Sequence, residues 1–185
     1  MKKYRTLEGK KEIVKLMEGM LDKLRTNGIG IFSLSGKYDS VVSWAHYSNS
    51  HEGFCIGFDK EKLLDLINRE ESLDFAEVKY KEEYPIINVY RTDEHEKLTK
   101  LVWWKSIEWE YENEYRIVWY DGANKKLPID SAISGVVILG CRIDPQNKDK
   151  IMTILKNRSD AIPLYQAKIK KDCFGLEFEK MEYKS

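Results

Sequence analysis

No charge of either sign predominates in this chain: its 185 residues carry 31 Lys and Arg against 31 Asp and Glu. Without a net field, bulk electrostatics does not draw nucleic acid or an anionic membrane to the surface. No apolar run approaches membrane-spanning length, and no charged-then-apolar signal segment opens the sequence. The three cysteines, Cys55, Cys141 and Cys173, are odd in number, widely spaced and without a CxxC pair. That pattern excludes a disulfide framework and a zinc finger, and fits reduced thiols in a cytoplasm. Cys55, inside an apolar run, reads as a small core residue. GxGxxG, P-loop, HExxH, GxSxG and EF-hand patterns are all missing, which removes support from the enzyme and calcium classes they define.

What is present is enough sequence to bury a sizeable core in a single domain, 1–185. Apolar spacings of three and four predict a helix over Lys10 to Arg25, stopped by Asn27-Gly28, and then a strand from Ile29 to Leu34. Asp39-Ser40 caps a short helix whose apolar face is Val41, Trp44 and Ala45. A strand over Gly53 to Phe58, a helix over Lys60 to Asn68 and a strand over Phe75 to Tyr80 follow. The longest helix is predicted over Asp93 to Glu108, with Leu98, Leu101, Val102 and Lys105 as one stripe. A strand over Gly135 to Leu139, a helix behind Asp144-Pro145 and a closing hairpin around Lys171-Asp172 complete the series. Strands outnumber helices without regular βαβ alternation, so the expected class is α+β, with a mainly antiparallel, curved or split sheet and flanking helices.

The chemistry concentrates in Trp109-Glu110-Tyr111-Glu112-Asn113-Glu114-Tyr115-Arg116. If Tyr111 to Trp119 form one strand, Glu112, Glu114 and Arg116 share a face, because side chains two apart in a strand do. Neighbouring carboxylates raise each other's pKa unless a cation intervenes, and Arg116 is placed to intervene. Such a pair can hold a ribose, position a nucleophile or move a proton. A solvated strand face is the plainer reading of the same pattern. Lys105, one loop away, reads either as part of the site or as a lysine laid along apolar surface. Upstream, aromatic residues with polar tips alternate with small ones through Ile31 to Ser35, Trp44 to Tyr47 and His51 to Phe58. His46 and His51 are five apart and show no zinc spacing with His95 or Glu112, so no metal is expected.

Phe32 to Ser35, Trp44 to Ser48, His51 to Asp59, and Lys105 followed by Trp109 to Arg116 stand in an order that resembles an uncharacterised bacterial family, domain of unknown function 2971. Its pattern runs FSLS, WAHYA, HxGFCIGFD and, much later, a lysine followed by WxYExE-aromatic-R. Gly135 to Gly140 is similar to the family's strand after the acidic motif, so the resemblance covers most of the chain from about Ile31 onward. Family members usually carry a longer opening part. Here residues 1–30 supply only an abbreviated strand, around Lys3-Tyr4-Arg5, and one helix.

A second resemblance, of motif logic only, is to ADP-ribosyltransferases, which split NAD on a split, mainly antiparallel sheet. Glu112-Asn113-Glu114 has their Glu-x-Glu spacing and Ser33-Leu34-Ser35 their Ser-x-Ser spacing, with His46 and Tyr47 available near a nicotinamide. The resemblance implies that Glu114 stabilises the developing oxocarbenium ion and Glu112 orients the acceptor. Trp44, Tyr47 or Trp109 would stack the base, while Ser33, Ser35, His51, Lys105 and Arg116 line the ligand. NAD is then a substrate, not a cofactor, and a role in phage defence or toxin action belongs to the same expectation. Two other readings stand beside it. One is a non-catalytic module binding a nucleotide or peptide between the same aromatic walls. The other is a polar core kept for satisfaction alone, with Glu112 and Glu114 serving Arg116 and the histidines. The macromolecular target is not readable from the sequence.

Overall fold

The computed structural model describes residues 28–87, 94–120 and 122–183, together with positions 11, 14, 15, 18 and 19. Those five positions are helical and exposed, in keeping with the helix expected there; Ile13, Leu16, Met17, Met20, Leu21 and Leu24, the spacing that predicts it, and the segment Lys3-Tyr4-Arg5 lie outside the described residues. Three helices begin at side chains that satisfy their orphan N–H groups. Ser40 accepts from the Ser43 amide to start Val41–Tyr47. Asp59 accepts from Glu61 and Lys62 to start Lys60–Asn68. Asp144 accepts from Gln146 and Asn147 ahead of Pro145–Lys156, where Pro145 costs no hydrogen bond in the first turn.

The chain divides into two compact units, residues 1–36 with 70–127 and residues 37–69 with 128–185. In the first, β1 (Gly30–Ser35) and β3 (Leu73–Glu77) flank β6 (Glu114–Trp119) in an all-antiparallel sheet, order β1-β6-β3. A short parallel pair joins β4 (Lys79–Lys81) to β5 (Trp104–Ser106). The helix Glu94–Trp103 packs its Leu98, Val102 and Trp103 with Val118, Ile29, Trp104 and Tyr120. Phe75 and Tyr115 stack with centroids 5.6 Å apart across β3 and β6.

In the second unit the sheet order is β2-β7-β8-β9, from β2 (Phe54–Phe58), β7 (Ser134–Leu139), β8 (Leu164–Ile169) and β9 (Leu176–Met181). β7 and β8 run parallel with Pro145–Lys156 between them, one βαβ step in an otherwise antiparallel arrangement. The helix covers a cluster of Val137, Leu139, Leu155, Ile162, Leu164 and Tyr183. A second cluster gathers Trp44, Ile138, Ala167 and Leu176, with Cys55 packed against it. Cys55 is therefore the core-facing residue of β2, and burial pushes its thiol up. All three cysteines are free.

The fold is α+β, its described strands forming three separate sheets in which antiparallel pairing predominates. Three boundaries and one buried face differ from the sequence expectation. The expected helix Asp93 to Glu108 stops at Trp103, where the chain turns into β5, so Lys105 is a strand residue. The strand expected from Tyr111 starts at Glu114, because Ile107–Glu112 is a 3-10 turn. The strand expected over Phe75 to Tyr80 breaks at Val78, whose amide bonds the Glu114 carbonyl. In Val41–Tyr47 only Trp44 is buried; Val41 and Ala45 are exposed, so one large ring does the packing expected of three side chains.

Candidate functional site

Pairing of β1 with β6 sets the floor of the site. Ser33 lies opposite Arg116 and Ser35 opposite Glu114, and opposite residues in an antiparallel pair share a face. Glu114 and Arg116, two apart on β6, therefore project with the two serines, as expected. Glu112 arrives differently. It ends the 3-10 turn Ile107–Glu112, whose Glu108 amide donates to the Ser106 hydroxyl, and Asn113 reverses the chain in the left-handed conformation. Tyr111 likewise sits on the turn and not on the strand. The expected single-strand carboxylate pair is thus a turn residue and a strand residue brought together.

They meet at Lys105. Its ammonium bonds Glu112 Oε2 and, at 2.8 Å, Glu114 Oε2. Arg116 grips Glu114 from the other side, Nε to Oε1 at 2.8 Å and Nη2 to Oε2 at 3.2 Å, and passes its Nη1 to the Val102 carbonyl. Ser33 adds a hydroxyl to Glu114, and Ser35 Oγ donates to the Glu112 carbonyl at 2.8 Å. Tyr80 Oη accepts the Glu114 amide at 2.7 Å. Two carboxylates and two cations balance, which is the condition for burying any of them. Glu112 and Glu114 are 6% and 4% exposed, the only charged residues among the buried ones described.

Burial alone would raise the Glu114 carboxyl, but Arg116, Lys105 and Ser33 outweigh it and bring it from 4.5 down to about 2. Lys105 loses by burial and gains more from Glu112 and Glu114, so its ammonium is held above the usual lysine value. Burial, against the relief of its hydrogen bond from the Glu114 amide, pushes the Tyr80 phenol up. Glu114 is therefore an anion at any physiological pH, suited to facing positive charge and unsuited to giving up a proton. At the edge of the cluster the Lys105 ammonium lies 5.2 Å from the centre of the Trp109 ring, and Trp109 is 38% exposed.

Ser33, Ser35, Lys105, Trp109, Glu112, Glu114 and Arg116 thus come together in the first unit. Trp44, His46, Tyr47 and His51 are built into the second. There Trp44 fills the core and its Nε1 donates to the Tyr38 carbonyl at 2.7 Å. His46 and Tyr47 are exposed neighbours, ring centroids 6.3 Å apart. His51 ends a run of three non-glycine residues with positive φ, Asn49 (49°), Ser50 (55°) and His51 (71°). Its Nδ1 is buried without a hydrogen-bond partner among the described residues. Among those residues no group of three or more His, Cys, Asp or Glu is arranged to hold a metal ion. No helix among them is long and apolar enough to cross a membrane. Two residues of the cluster went unnoticed in the sequence. Nothing there singles out Tyr80; Asn113, between two glutamates, is a residue type that tolerates the left-handed region.

A buried, charge-balanced Glu-x-Glu cluster resting on a serine-bearing strand defines the class of site. Residues 43–117 match the model of the family described as protein of unknown function (DUF2971). The matched range includes Lys105 and Trp109 to Arg116 as well as Trp44 to Asp59; Phe32 to Ser35 and Gly135 to Gly140 fall outside it. Neither curated proteins nor solved structures provide a match to this chain.

Proposed function

We propose that the chain is an NAD-cleaving enzyme of the ADP-ribosyltransferase kind. One observation carries the reading: the Ser33-x-Ser35 strand pairs directly with the Glu114 strand, and Ser33 bonds a Glu114 carboxylate held ionised at about 2. Breaking the bond between nicotinamide and ribose sends the electron pair to the nicotinamide nitrogen and leaves positive charge at C1′. In the ground state the positive charge sits on the nicotinamide ring and it moves to the ribose as the bond breaks, so a fixed anion beside C1′ stabilises the transition state more than the ground state, which is what lowers a barrier. An oxygen nucleophile, from water or a target side chain, then bonds C1′ and releases its proton to solvent. Glu114 is the charge-stabilising group in this reading, Glu112 orients the acceptor, and Trp109 offers a partly exposed aromatic face for stacking.

The test is nicotinamide release from NAD by the purified chain, with Glu112→Gln and Glu114→Gln checked as folded by circular dichroism. Either change is expected to lower release about a hundredfold or more, the usual effect of removing a group aimed at transition-state charge. A wild-type protein that releases no nicotinamide overturns the proposal. The second reading, a polar keystone without catalysis, draws on the saturation of Glu114, both of whose oxygens are already bonded. It expects loss of stability in the same variants with no activity to lose.

A further inference from the structure

Asn113 sits at φ 46° and ψ 55° between the two glutamates. Had Glu112 been extended like Glu114 and Arg116, its side chain would leave β6 parallel to theirs, about 7 Å along the chain from Glu114. Here the Oε2 atoms of Glu112 and Glu114 both bond Lys105 Nζ. The left-handed turn at Asn113 brings Glu112 in from another direction: it ends the 3-10 turn, its amide bonding the Glu110 carbonyl at 3.1 Å, and lets β6 start at the next residue. Gly36 locks the turn from β1's end. Its amide donates to the Asn113 carbonyl at 2.8 Å, and a Cβ at Gly36 would lie 2.3 Å from Asn113 Nδ2.

We infer that Asn113 is a positioning residue, whose left-handed backbone aims Glu112 and Glu114 at a single point of positive charge. The middle residue of this Glu-x-Glu motif is then restricted to types that adopt that conformation without a steric penalty, glycine and asparagine first. The groups facing the pair are Lys105, Arg116, Ser33 and the Tyr80 hydroxyl, and the chain direction at Asn113 sets the side from which Glu112 reaches Lys105. The catalytic consequence rests on the NAD-cleaving reading; the positioning itself does not.

The experiment follows the side-chain carboxyl carbons of Glu112 and Glu114 through a pH titration by NMR in wild type, Asn113→Gly, Asn113→Val and the milder Asn113→Ala. Glycine is expected to reproduce the wild-type titration of both groups. Valine, β-branched and excluded from the left-handed region, is expected to move the Glu114 midpoint upward by about one pH unit or more, as Lys105 parts from one carboxylate. Alanine is expected to shift it the same way by less, and decides the matter if the valine protein does not fold. A folded valine or alanine variant whose two carboxyls titrate as in wild type overturns the inference. Nicotinamide release is read on the same proteins. Its absence from wild type sinks the enzyme reading while the titration still judges Asn113, and its retention in glycine with at least a tenfold loss in valine supports both.

Discussion

Replacing Glu114 by glutamine removes the one charge that Arg116, Lys105 and Ser33 jointly hold. Carrying a carboxyl from 4.5 down to about 2 corresponds to about 3 kcal/mol of preferential stability for the folded, ionised form. Breaking a buried ion pair from one side costs a similar amount, about 3–5 kcal/mol, since the remaining cations lose their partner. The sign fixes the pH window. The folded pKa is depressed, so the contribution is complete above the ordinary carboxyl value of 4.5 and disappears as pH falls through about 2. Urea unfolding of wild type and Glu114→Gln at a series of pH values is the assay. At neutral pH the variant is expected to be less stable by about 3 kcal/mol, and the gap should close steadily below the ordinary carboxyl range. Other carboxylates titrate in both proteins and cancel in the difference. A variant within about 0.5 kcal/mol of wild type at neutral pH, the scatter of surface substitutions, refutes the electrostatic account of the cluster. So does a gap independent of pH.

Tyr80→Phe leaves the Glu114 amide without its acceptor and is expected to cost about 1–3 kcal/mol in chemical denaturation, with no change in net charge. Trp44→Ala empties the centre of the Ile138, Ala167 and Leu176 cluster and is expected to cost about 3–5 kcal/mol. Gly140→Ala places a methyl 2.1 Å from the His51 carbonyl oxygen, a backbone atom that cannot step aside. A loss of at least about 2 kcal/mol, or failure to fold, is expected, with proteolysis as the check. On the alkaline side Lys105, held above its ordinary 10.5, keeps its contribution below that value and loses it only as pH climbs beyond. The wild-type unfolding profile should therefore show no step from this lysine near neutrality.

Much of the second unit was legible because its signals are local. Lys60–Asn68 starts and stops where Asp59 and its Leu63/Ile67 spacing say it should. The closing β8–β9 hairpin follows from two alternating runs around a polar turn. The errors fall where tertiary partners override local preference. The helical pattern of Leu98, Leu101, Val102 and Lys105 continues past Trp103 in sequence but not in space, since β5 leaves the helix to pair with β4. The strand expected through Val78 is two strands because the chain changes partner there, Leu73–Glu77 pairing with β6 and Lys79–Lys81 with β5.

The site shows the same division more sharply. Its composition was readable: two glutamates, an arginine two residues on, a lysine one loop before and a pair of serines on an earlier strand. Its geometry was not, because a period of two was assumed through a residue that breaks it. Strand alternation places Glu112 and Glu114 on one face by parity, whereas the protein brings them together by a turn, and in that arrangement both carboxylates bond the same ammonium. The physical difference is large. Two parallel carboxylates on a strand repel and each rises in pKa unless a cation intervenes, while two that share Lys105, with Arg116 behind, leave Glu114 an anion well below the ordinary carboxyl range. A Glu-x-Glu spacing therefore does not specify its own chemistry. The conformation of the middle residue decides between a proton-shuttling pair and a fixed negative field, and in this chain Asn113 selects the field.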